Sequence, residues 1–340
     1  MDKVLKFTFS VPTLNSERYL ESCLESIINQ EYPREAIEII ISDAGSKDNT
    51  INIAKKYTNL LFENKKKLGE YGTQIAVEKA SGDLFVVFAA DNGLVGSDWL
   101  KRVSTIFNNH KSLSCMWGKM IASRTDPLIM KYYELIQSEP LAHFLNRNLA
   151  FYLNKAEARK LADLKYKIFN VDPKRPLCWG ANGIVYRHRD VKELFVGDKY
   201  IGDNEIFQYM VEKGHTTVGY SSDLNIYHHT VSSVRHWVGK WVRNYTQIFL
   251  KTRHQRRIDW FYYGNFKLKM FLWLVYSLIP IFSISHTVYL MMRDGTIYWF
   301  YHPLMCFLQT WTYLYWTLAL AEGRKSLFEH IFRKNHYNTI

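Results

Sequence analysis

The first hundred residues alternate between short unbroken apolar runs and stretches whose apolar positions recur at helical spacing. Residues 7–11 predict a buried strand closed by Pro12. Ser16 then caps a helix running to about Gln30, with Tyr19, Leu20, Cys23, Leu24 and Ile27 along one face. Residues 37–41 predict a second strand, followed by the turn Asp43-Ala44-Gly45-Ser46. Asp48 or Thr50 opens a helix ending near Tyr57, a further helix precedes Ser81-Gly82, and residues 83–90 predict a third strand. Unbroken apolar strands separated by helices imply an α/β fold: a mostly parallel sheet with helices on both faces. Ligands of such sheets bind beyond the carboxyl ends of the strands. Thr13, Asp43 and Asp91 each stand at or just past such an end.

Residues 125–166 turn helical and mixed in charge, and read as a helical insertion over the sheet. Residues 178–186 return to a strand-like run, 204–211 form a helix stopped by Gly214, and 218–227 form a last extended stretch ending at His228-His229. Strand alternation aims those two histidines to opposite faces, so at most one reaches a common site.

Beyond residue 231 the pattern changes. Trp237, Trp241, Tyr245 and Phe249 recur every four residues, stacked along one helical face. Arg235, Lys240, Arg243, Lys251, Arg253, Arg256 and Arg257 crowd the same segment. An aromatic body with a basic rim suits a helix lying in the headgroup layer, or equally an amphipathic helix packed on the domain. Residues 270–292 carry no charge and exceed the roughly 20 residues that span a bilayer, with Pro280 placed to kink them. Residues 303–321 are shorter and hold Gln309 and several threonines. Lys267, Lys269, Arg324, Lys325, Arg333 and Lys334 flank the pair, so the positive-inside bias predicts a transmembrane hairpin with both ends cytoplasmic. The competing reading is a buried helical pair. The expected organisation is a catalytic α/β domain over 1–231, a basic aromatic interfacial segment over 232–266, and a membrane hairpin with a basic tail over 267–340.

Composition narrows the partners. Lys and Arg outnumber Asp and Glu by 44 to 32, a net charge of +12. That favours nucleotide phosphates, lipid headgroups or nucleic acid. Nucleic acid is disfavoured, because the basic residues concentrate beside apolar stretches and no recognised nucleic-acid motif appears. Cys23, Cys115, Cys178 and Cys306 lie far apart with no CxxC pair, which suits a reducing compartment and argues against a zinc knuckle. No secretory signal precedes the first strand, so the catalytic part is expected in the cytoplasm at the cell membrane.

Asp91, after an apolar strand and before Asn92-Gly93, is placed to anchor a cation carrying a diphosphate, or to close an Asx-turn. Asp203, at the start of a helix in Ile201-Gly202-Asp203-Asn204-Glu205, suits a helix-start acid as well as a base facing the crevice. Either of His228 and His229 could complete a metal shell.

Four stretches together resemble family 2 of the inverting glycosyltransferases, which has the GT-A fold. Phe9-Ser10-Val11-Pro12-Thr13-Leu14-Asn15 is similar to the opening strand and turn. Ser42-Asp43-Ala44-Gly45-Ser46-Lys47-Asp48-Asn49-Thr50 is similar to the nucleotide-binding turn, and residues 82–92 to the strand leading into the metal-binding D-x-D motif. Trp179-Gly180-Ala181-Asn182-Gly183, Arg187, Gly202-Asp203, Lys213-Gly214 and Tyr227-His228-His229 resemble the acceptor half. The resemblance implies a metal-dependent transferase moving sugar from a nucleotide-sugar donor, UDP-linked by preference or GDP-linked, to a lipid-linked or membrane-proximal acceptor.

By that resemblance Pro12, Thr13, Asn15, Asp43, Gly45, Ser46, Gln74, Asp91 and Asn92 meet the donor. Asp91 with His228 holds Mn²⁺ or Mg²⁺, and Asp203 is the catalytic base. Trp179, Gly180, Ala181, Asn182, Asn204 and Glu205 face the acceptor. Three positions depart from the pattern: Ala89 replaces the first D-x-D carboxylate, Ala44 the second Asp of the nucleotide turn, and Gly202 the Glu before the base. A polyprenyl-phosphate sugar synthase and a non-catalytic membrane scaffold on the same fold are the competing readings.

Overall fold

The computed structural model describes residues 3–332 apart from 146, 176, 178–181, 196–200 and 257–264. It falls into two compact units. One comprises 1–121, 149–173 and 179–229, the other 122–148, 174–178 and 230–340.

The first unit is built on strands β1 (Phe7–Thr13), β2 (Ile37–Asp43), β3 (Leu61–Glu63), β4 (Leu84–Val87), β5 (Asn92–Leu94), β6 (Cys115–Trp117), β7 (Met120–Ile121), β8 (Ala158–Leu161), β9 (Leu164–Asn170), β10 (Val185–Arg187), β11 (Thr217–Tyr220) and β12 (Ile226–His228). Among the described residues, nine of these form one sheet in the order β3-β2-β1-β4-β10-β6-β11-β9-β8, and three form a small sheet, β5-β12-β7. The strands β3, β2, β1 and β4 are mutually parallel, whereas β10 is antiparallel to both neighbours and β9 to both of its own. The sheet is therefore evenly mixed rather than mostly parallel. The antiparallel members are short or charged, so no long apolar run announces them.

The apolar runs fill the core as their composition requires. Phe7, Phe9, Val11, Phe85 and Phe88 have no exposed surface, and such burial contributes roughly 1.5–3 kcal/mol per large side chain. Phe9 meets Phe88 edge-on at 5.4 Å. The helix Glu17–Ile28 buries Leu20, Cys23, Leu24 and Ile27, the face expected from spacing, and leaves Tyr19 half-buried.

Pro12 does not close β1, which continues to Thr13. Phe88 N–H donates to Ser10 O and Ala44 N–H to Thr13 O, so even-numbered residues of β1 face β4 and odd-numbered ones face β2. The ladder with β4 ends at Ser10 opposite Val87. The donor that Pro12 lacks therefore points to an edge, where proline is tolerated.

The segment 125–166 is not uniformly helical. Helices Leu128–Ile136, Pro140–Leu145 and Arg147–Lys155 give way to the hairpin β8–β9, turning at Ala162 with φ +53°. Leu164 and Tyr166 are buried on either side of the exposed Lys165, a short two-residue alternation that the charges obscured. Likewise 218–227 is two strands, β11 and β12, that belong to different sheets.

The second unit is helical. Ile129, Met130, Tyr132, Ile136, Trp237, Trp241, Leu290, Trp299 and Met305 form its apolar core. Trp237 and Trp241, for which the sequence left open a headgroup layer or packing on the domain, are 2% and 0% exposed and pack on each other at 5.3 Å. They stabilise the unit's interior, because the helix Val234–Arg243 turns its aromatic face inward. Asn244–Phe249 then winds as a π-helical turn, stacking Tyr245 on Phe249 at 5.6 Å.

The apolar stretch 270–292 is not one kinked helix. Phe266–Leu278 and Pro280–Asp294 are separate helices, broken at Ile279 and bent by 87°. Pro280 stands at the first position of the second helix, where its missing N–H has no partner to lose. Among the described residues no single helix is long and apolar enough to cross a membrane; the bent pair passes that test together. Tyr301–Ala319 and Ala321–Phe332 follow. Arg257, Arg333 and Lys334 lie outside the described residues.

Candidate active site

The strand order sets the place of the site. From β1 the chain moves outward to β2 and β3, then returns to lay β4 on the other side of β1. The carboxyl ends of β1 and β4 thus flank a switch point, where ligands of open α/β sheets bind.

At the β1–β2 end, Thr13 and Asp43 are register partners. Both are buried, and Thr13 Oγ1 donates to Asp43 Oδ1 at 2.8 Å. Ser46 Oγ donates to the same oxygen at 2.5 Å, while the Gly45 and Ser46 N–H groups donate to Oδ2, each at 2.8 Å. Both carboxylate oxygens are engaged, and the result is an Asx-type turn in which Gly45 takes φ +92°. Burial pushes the Asp43 pKa up, but the bonds from Ser46, Thr13 and Gly45 outweigh it and hold the carboxyl below its ordinary value. Asn15, at φ +50°, ties in from β1: its N–H donates to Ser46 Oγ (2.8 Å) and its Oδ1 accepts from Lys47 N–H (2.9 Å). Pro12 and Ser42 sit against Gly72, where a Cβ would approach Ser42 Oγ to 2.6 Å and Pro12 Cβ to 3.1 Å. Gly72 and the buried Gln74 lie on the helix Gly69–Lys79, which therefore closes tightly over the strand ends.

Beyond β4 the chain turns through Asp91 into β5. In the small sheet Asn92 is the register partner of His228, and His229 N–H donates to Asp91 O at 3.0 Å. His228 Nε2 lies 3.6 Å from Asp91 Oδ1 and 3.1 Å from Asn182 Nδ2. Asn182 is held there because Gly183 N–H donates to Val87 O (2.8 Å) at the end of β4. It was expected on the acceptor side, and the structure sets it against His228. Asn92 is 2% exposed with neither side-chain amide atom hydrogen-bonded. Buried polar atoms are normally paired, so Asn92 leaves hydrogen-bonding capacity open beside Asp91 and His228.

Alternation separates the histidines as expected. His228 is buried beside Asp91, whereas His229 stacks on Tyr19 at 5.0 Å and 8° and on Tyr227 at 6.2 Å. The Tyr19–His229–Tyr227 stack escaped sequence reasoning. Its one clue was Tyr19, the single aromatic on the inner face of its helix. Ala89, in place of a carboxylate, offers its carbonyl to the Cys23 thiol (3.6 Å). Burial foremost, then the negative charge of Asp91, raise the Cys23 pKa, which leaves an inert thiol.

On the acceptor half, Asp203 begins the helix Asp203–Glu212, with Asn204 in its first turn. Glu205 was expected to face the acceptor. It is fully buried, and its Oε2 accepts from Gly202 N–H at 2.7 Å, fixing the helix start. Arg187 is structural as well, donating to the carbonyls of Phe107, His110 and Leu113. Trp179, Gly180 and Ala181 lie outside the described residues.

A switch-point crevice edged by Thr13, the Asp43 turn, Asp91 and His228, on a mixed sheet, defines a GT-A-like α/β fold. Comparison with known proteins agrees. Residues 8–163 match the family described as Glycosyl transferase family 2, and the chain carries a domain of that family. A dolichyl N-acetyl-alpha-D-glucosaminyl phosphate 3-beta-D-2,3-diacetamido-2,3-dideoxy-beta-D-glucuronosyltransferase of Methanococcus voltae is 36% identical over 87 residues, 24% of this chain and 27% of that protein. The poly(ribitol-phosphate) beta-N-acetylglucosaminyltransferase TarS of Staphylococcus aureus is 28% identical over 169 residues, 48% of this chain and 29% of that protein. The chain thus spans less than a third of the length of either relative. The solved mannosyltransferase PcManGT of Pyrobaculum calidifontis, in complex with GDP-Man and Mn²⁺, superposes over 98% of this chain and 89% of its own. The TM-score is 0.51 at 14% identity, a likeness of fold.

Proposed function

We propose that the chain is an inverting glycosyltransferase that takes sugar from a nucleotide-sugar donor, UDP-linked by preference, and passes it to a lipid-linked acceptor at the membrane. The observation that carries this reading is the cluster Asp91–His228–Asn182 beside the unpartnered amide of Asn92, at the strand ends next to the Thr13–Asp43–Ser46 turn.

Asp43 holds the hydroxyls and N–H groups of the turn in place, so the turn is set before a nucleoside meets it and little ordering is left for binding. Asp91 and His228 offer a carboxylate and an imidazole nitrogen, donors that suit Mn²⁺ and, for the oxygen, Mg²⁺. Asp91 and His228 would hold the cation, and its chemistry there would be to neutralise the leaving diphosphate. Among the described residues no cluster of three or more ligating side chains exists, so this pair would bind the ion with the donor rather than cage it alone.

Asp203 accepts the proton of the acceptor hydroxyl. The freed oxygen attacks the anomeric carbon, and the bond to the nucleoside diphosphate breaks with its electron pair leaving on phosphate oxygen. Attack opposite the leaving group inverts the centre. The M. voltae and S. aureus relatives are named for dolichyl-phosphate-linked and poly(ribitol-phosphate) acceptors, which supports an acceptor of that kind.

The helical unit supports a membrane site. On Pro280–Asp294 the buried positions are Ser283, Thr287 and Leu290, while Ile281, Phe282, Ile284, Val288 and Met292 are exposed. This inverted pattern fits lipid rather than water.

The test is a screen of the purified full chain with Mn²⁺ or Mg²⁺ against UDP- and GDP-sugars, following nucleoside diphosphate release and product anomeric configuration by NMR. Metal-dependent release with inverted product is expected. Absence of turnover with every donor, together with no donor-induced thermal shift, would refute the reading.

A further inference from the structure

The helical unit contains an observation that bears on how it meets the bilayer. On Tyr301–Ala319 the buried side carries His302, Cys306, Gln309, Thr310 and Thr312. The outer side presents Leu304, Phe307, Trp311, Tyr315 and Leu318, a single stripe at helical spacing, all exposed. The inward polar groups pair with each other: Thr310 Oγ1 with Ser277 Oγ at 2.9 Å, His302 with the hydroxyls of Tyr132 (2.8 Å) and Tyr276 (2.9 Å), and Gln309 Nε2 with Glu139 at 2.8 Å. An apolar outer stripe and a satisfied polar interior suit hydrocarbon.

This helix has a companion whose exposed cations oppose its crossing a membrane. Trp237 and Trp241 share a core with Trp299 and Met305. Further along, Tyr245 meets Tyr313 at a tilt (5.2 Å) and bonds Thr317 Oγ1 (2.5 Å). Beyond the end of Tyr301–Ala319, Arg253 reaches Glu322 O (3.2 Å) and Glu329 (3.8 Å). Residues 234–253 therefore run beside 299–322, in the same direction and over the same length. They expose Arg235, Arg243 and Lys251. If Tyr301–Ala319 stood across the bilayer, Arg243, midway along this segment, would be carried into the hydrocarbon with Arg235 and Lys251 near its two surfaces, which is costly unless Arg243 snorkels.

The bent pair agrees. Phe266–Leu278 and Pro280–Asp294 are about 20 and 22 Å long at 1.5 Å per residue, each short of the roughly 30 Å hydrocarbon core. They meet at 87° around Ile279, which is exposed with its neighbours Ile281 and Phe282. The loop after them does not project away. Ile297–Phe300 packs on Leu128–Ile136, with Trp299 edge-on to Tyr132 at 6.2 Å.

Resting on the membrane reading above, we infer that the helical unit is monotopic. Tyr301–Ala319 lies in the plane of one leaflet with its Leu304–Phe307–Trp311–Tyr315–Leu318 stripe on the acyl chains. The basic helix beside it lies at the headgroups, and the Ile279–Phe282 corner dips as a re-entrant wedge. The complementary charge identifies the surface as anionic: outside the undescribed residues, 230–332 holds Arg235, Lys240, Arg243, Lys251, Arg253, Arg256, Lys267, Lys269, Arg293, Arg324 and Lys325 against Asp294, Glu322 and Glu329.

The test reconstitutes the full chain on sealed phosphatidylglycerol–phosphatidylcholine vesicles, carrying single added cysteines Arg235→Cys, Ile297→Cys or Lys325→Cys, against the parent chain as background. A membrane-impermeant maleimide should label all three to the same extent before and after vesicle rupture. Any of the three reacting only after rupture, above all Lys325→Cys parting from Arg235→Cys and Ile297→Cys, would overturn the monotopic arrangement and leave membrane attachment standing. The double variant Phe307→Asp/Trp311→Asp should lose vesicle co-flotation while keeping its far-ultraviolet circular dichroism. Unchanged flotation of that variant would overturn the in-plane placement of the stripe. A parent chain that never floats, or that elutes as a stable oligomer indifferent to vesicles, would overturn the membrane reading and this proposal together.

Discussion

Replacing Asp43 by asparagine tests the nucleotide turn at a single oxygen. The carboxylate accepts from two hydroxyls and two backbone N–H groups, at 2.5 to 2.8 Å. Charge-assisted hydrogen bonds are roughly twice as strong as neutral ones, and a neutral one contributes about 1 kcal/mol net. The asparagine side chain can aim its oxygen at the Gly45 and Ser46 N–H groups and its amide at the two hydroxyl oxygens, so the contacts survive without the charge. Allowing for water at the turn's edge, the expected loss is about 1–2 kcal/mol, a factor of about 5–30 in local opening.

Hydrogen exchange of the peptide containing Gly45 and Ser46, normalised to its intrinsic rate, reads that opening directly. At pH 7 the Asp43→Asn chain should exchange faster by that factor. The pH dependence has a defined sign. The folded pKa of Asp43 is lowered, so its contribution is complete above the unfolded value of about 3.9 and is lost as pH falls through the folded one. The gap between wild type and variant should thus persist down to about pH 4 and close only below it. Equal protection at pH 7, or a gap that closes well above pH 4, would refute the assignment.

Asp91→Ala should weaken donor binding in Mn²⁺ at least about ten-fold, roughly 1.4 kcal/mol, while leaving thermal stability nearly unchanged, since the side chain is partly exposed; calorimetric titration and melting check both. Asp203→Asn should lower kcat about 10²- to 10⁴-fold with donor affinity retained, read by steady-state kinetics beside a binding titration. Gly72→Ala should destabilise by about 1–3 kcal/mol, because the new methyl would meet Ser42 Oγ at 2.6 Å and Pro12 Cβ at 3.1 Å; a melting temperature equal to wild type would show that the Gly69–Lys79 helix can move away.

The parallel half of the sheet was legible because β1, β2 and β4 are continuous apolar runs buried on both faces, and the polar residues at their ends stood out for that reason. Strand order was not legible: nothing in the three residues of β10 says that they separate β4 from β6. The role of Asn182 was hidden likewise, since its bond to His228 joins positions 46 residues apart through two different sheets. Glu205 shows the opposite failure, in which a charged residue near a suspected base was read as functional, although it stands three positions past the N-cap, where an acid closes the helix. In the helical unit, hydropathy registered that 270–292 is free of charge, but it is blind to the break at Ile279, where Pro280 starts a second helix instead of continuing the first. The inward-facing Gln309 and Thr310 looked like weaknesses in a span and are instead the hydrogen-bonded interior of a bundle.

The central claim is that a nucleotide sugar binds at the carboxyl ends of β1 and β4 through the Asp91 cluster. Calorimetric titration of the full chain with UDP-GlcNAc and GDP-mannose, in Mn²⁺ and again in EDTA, tests it most directly. The account predicts saturable binding of one donor in Mn²⁺, weakened both by chelation and by Asp91→Ala. Donor binding of equal affinity in wild type and Asp91→Ala, or no binding of any donor by a folded chain, would contradict it.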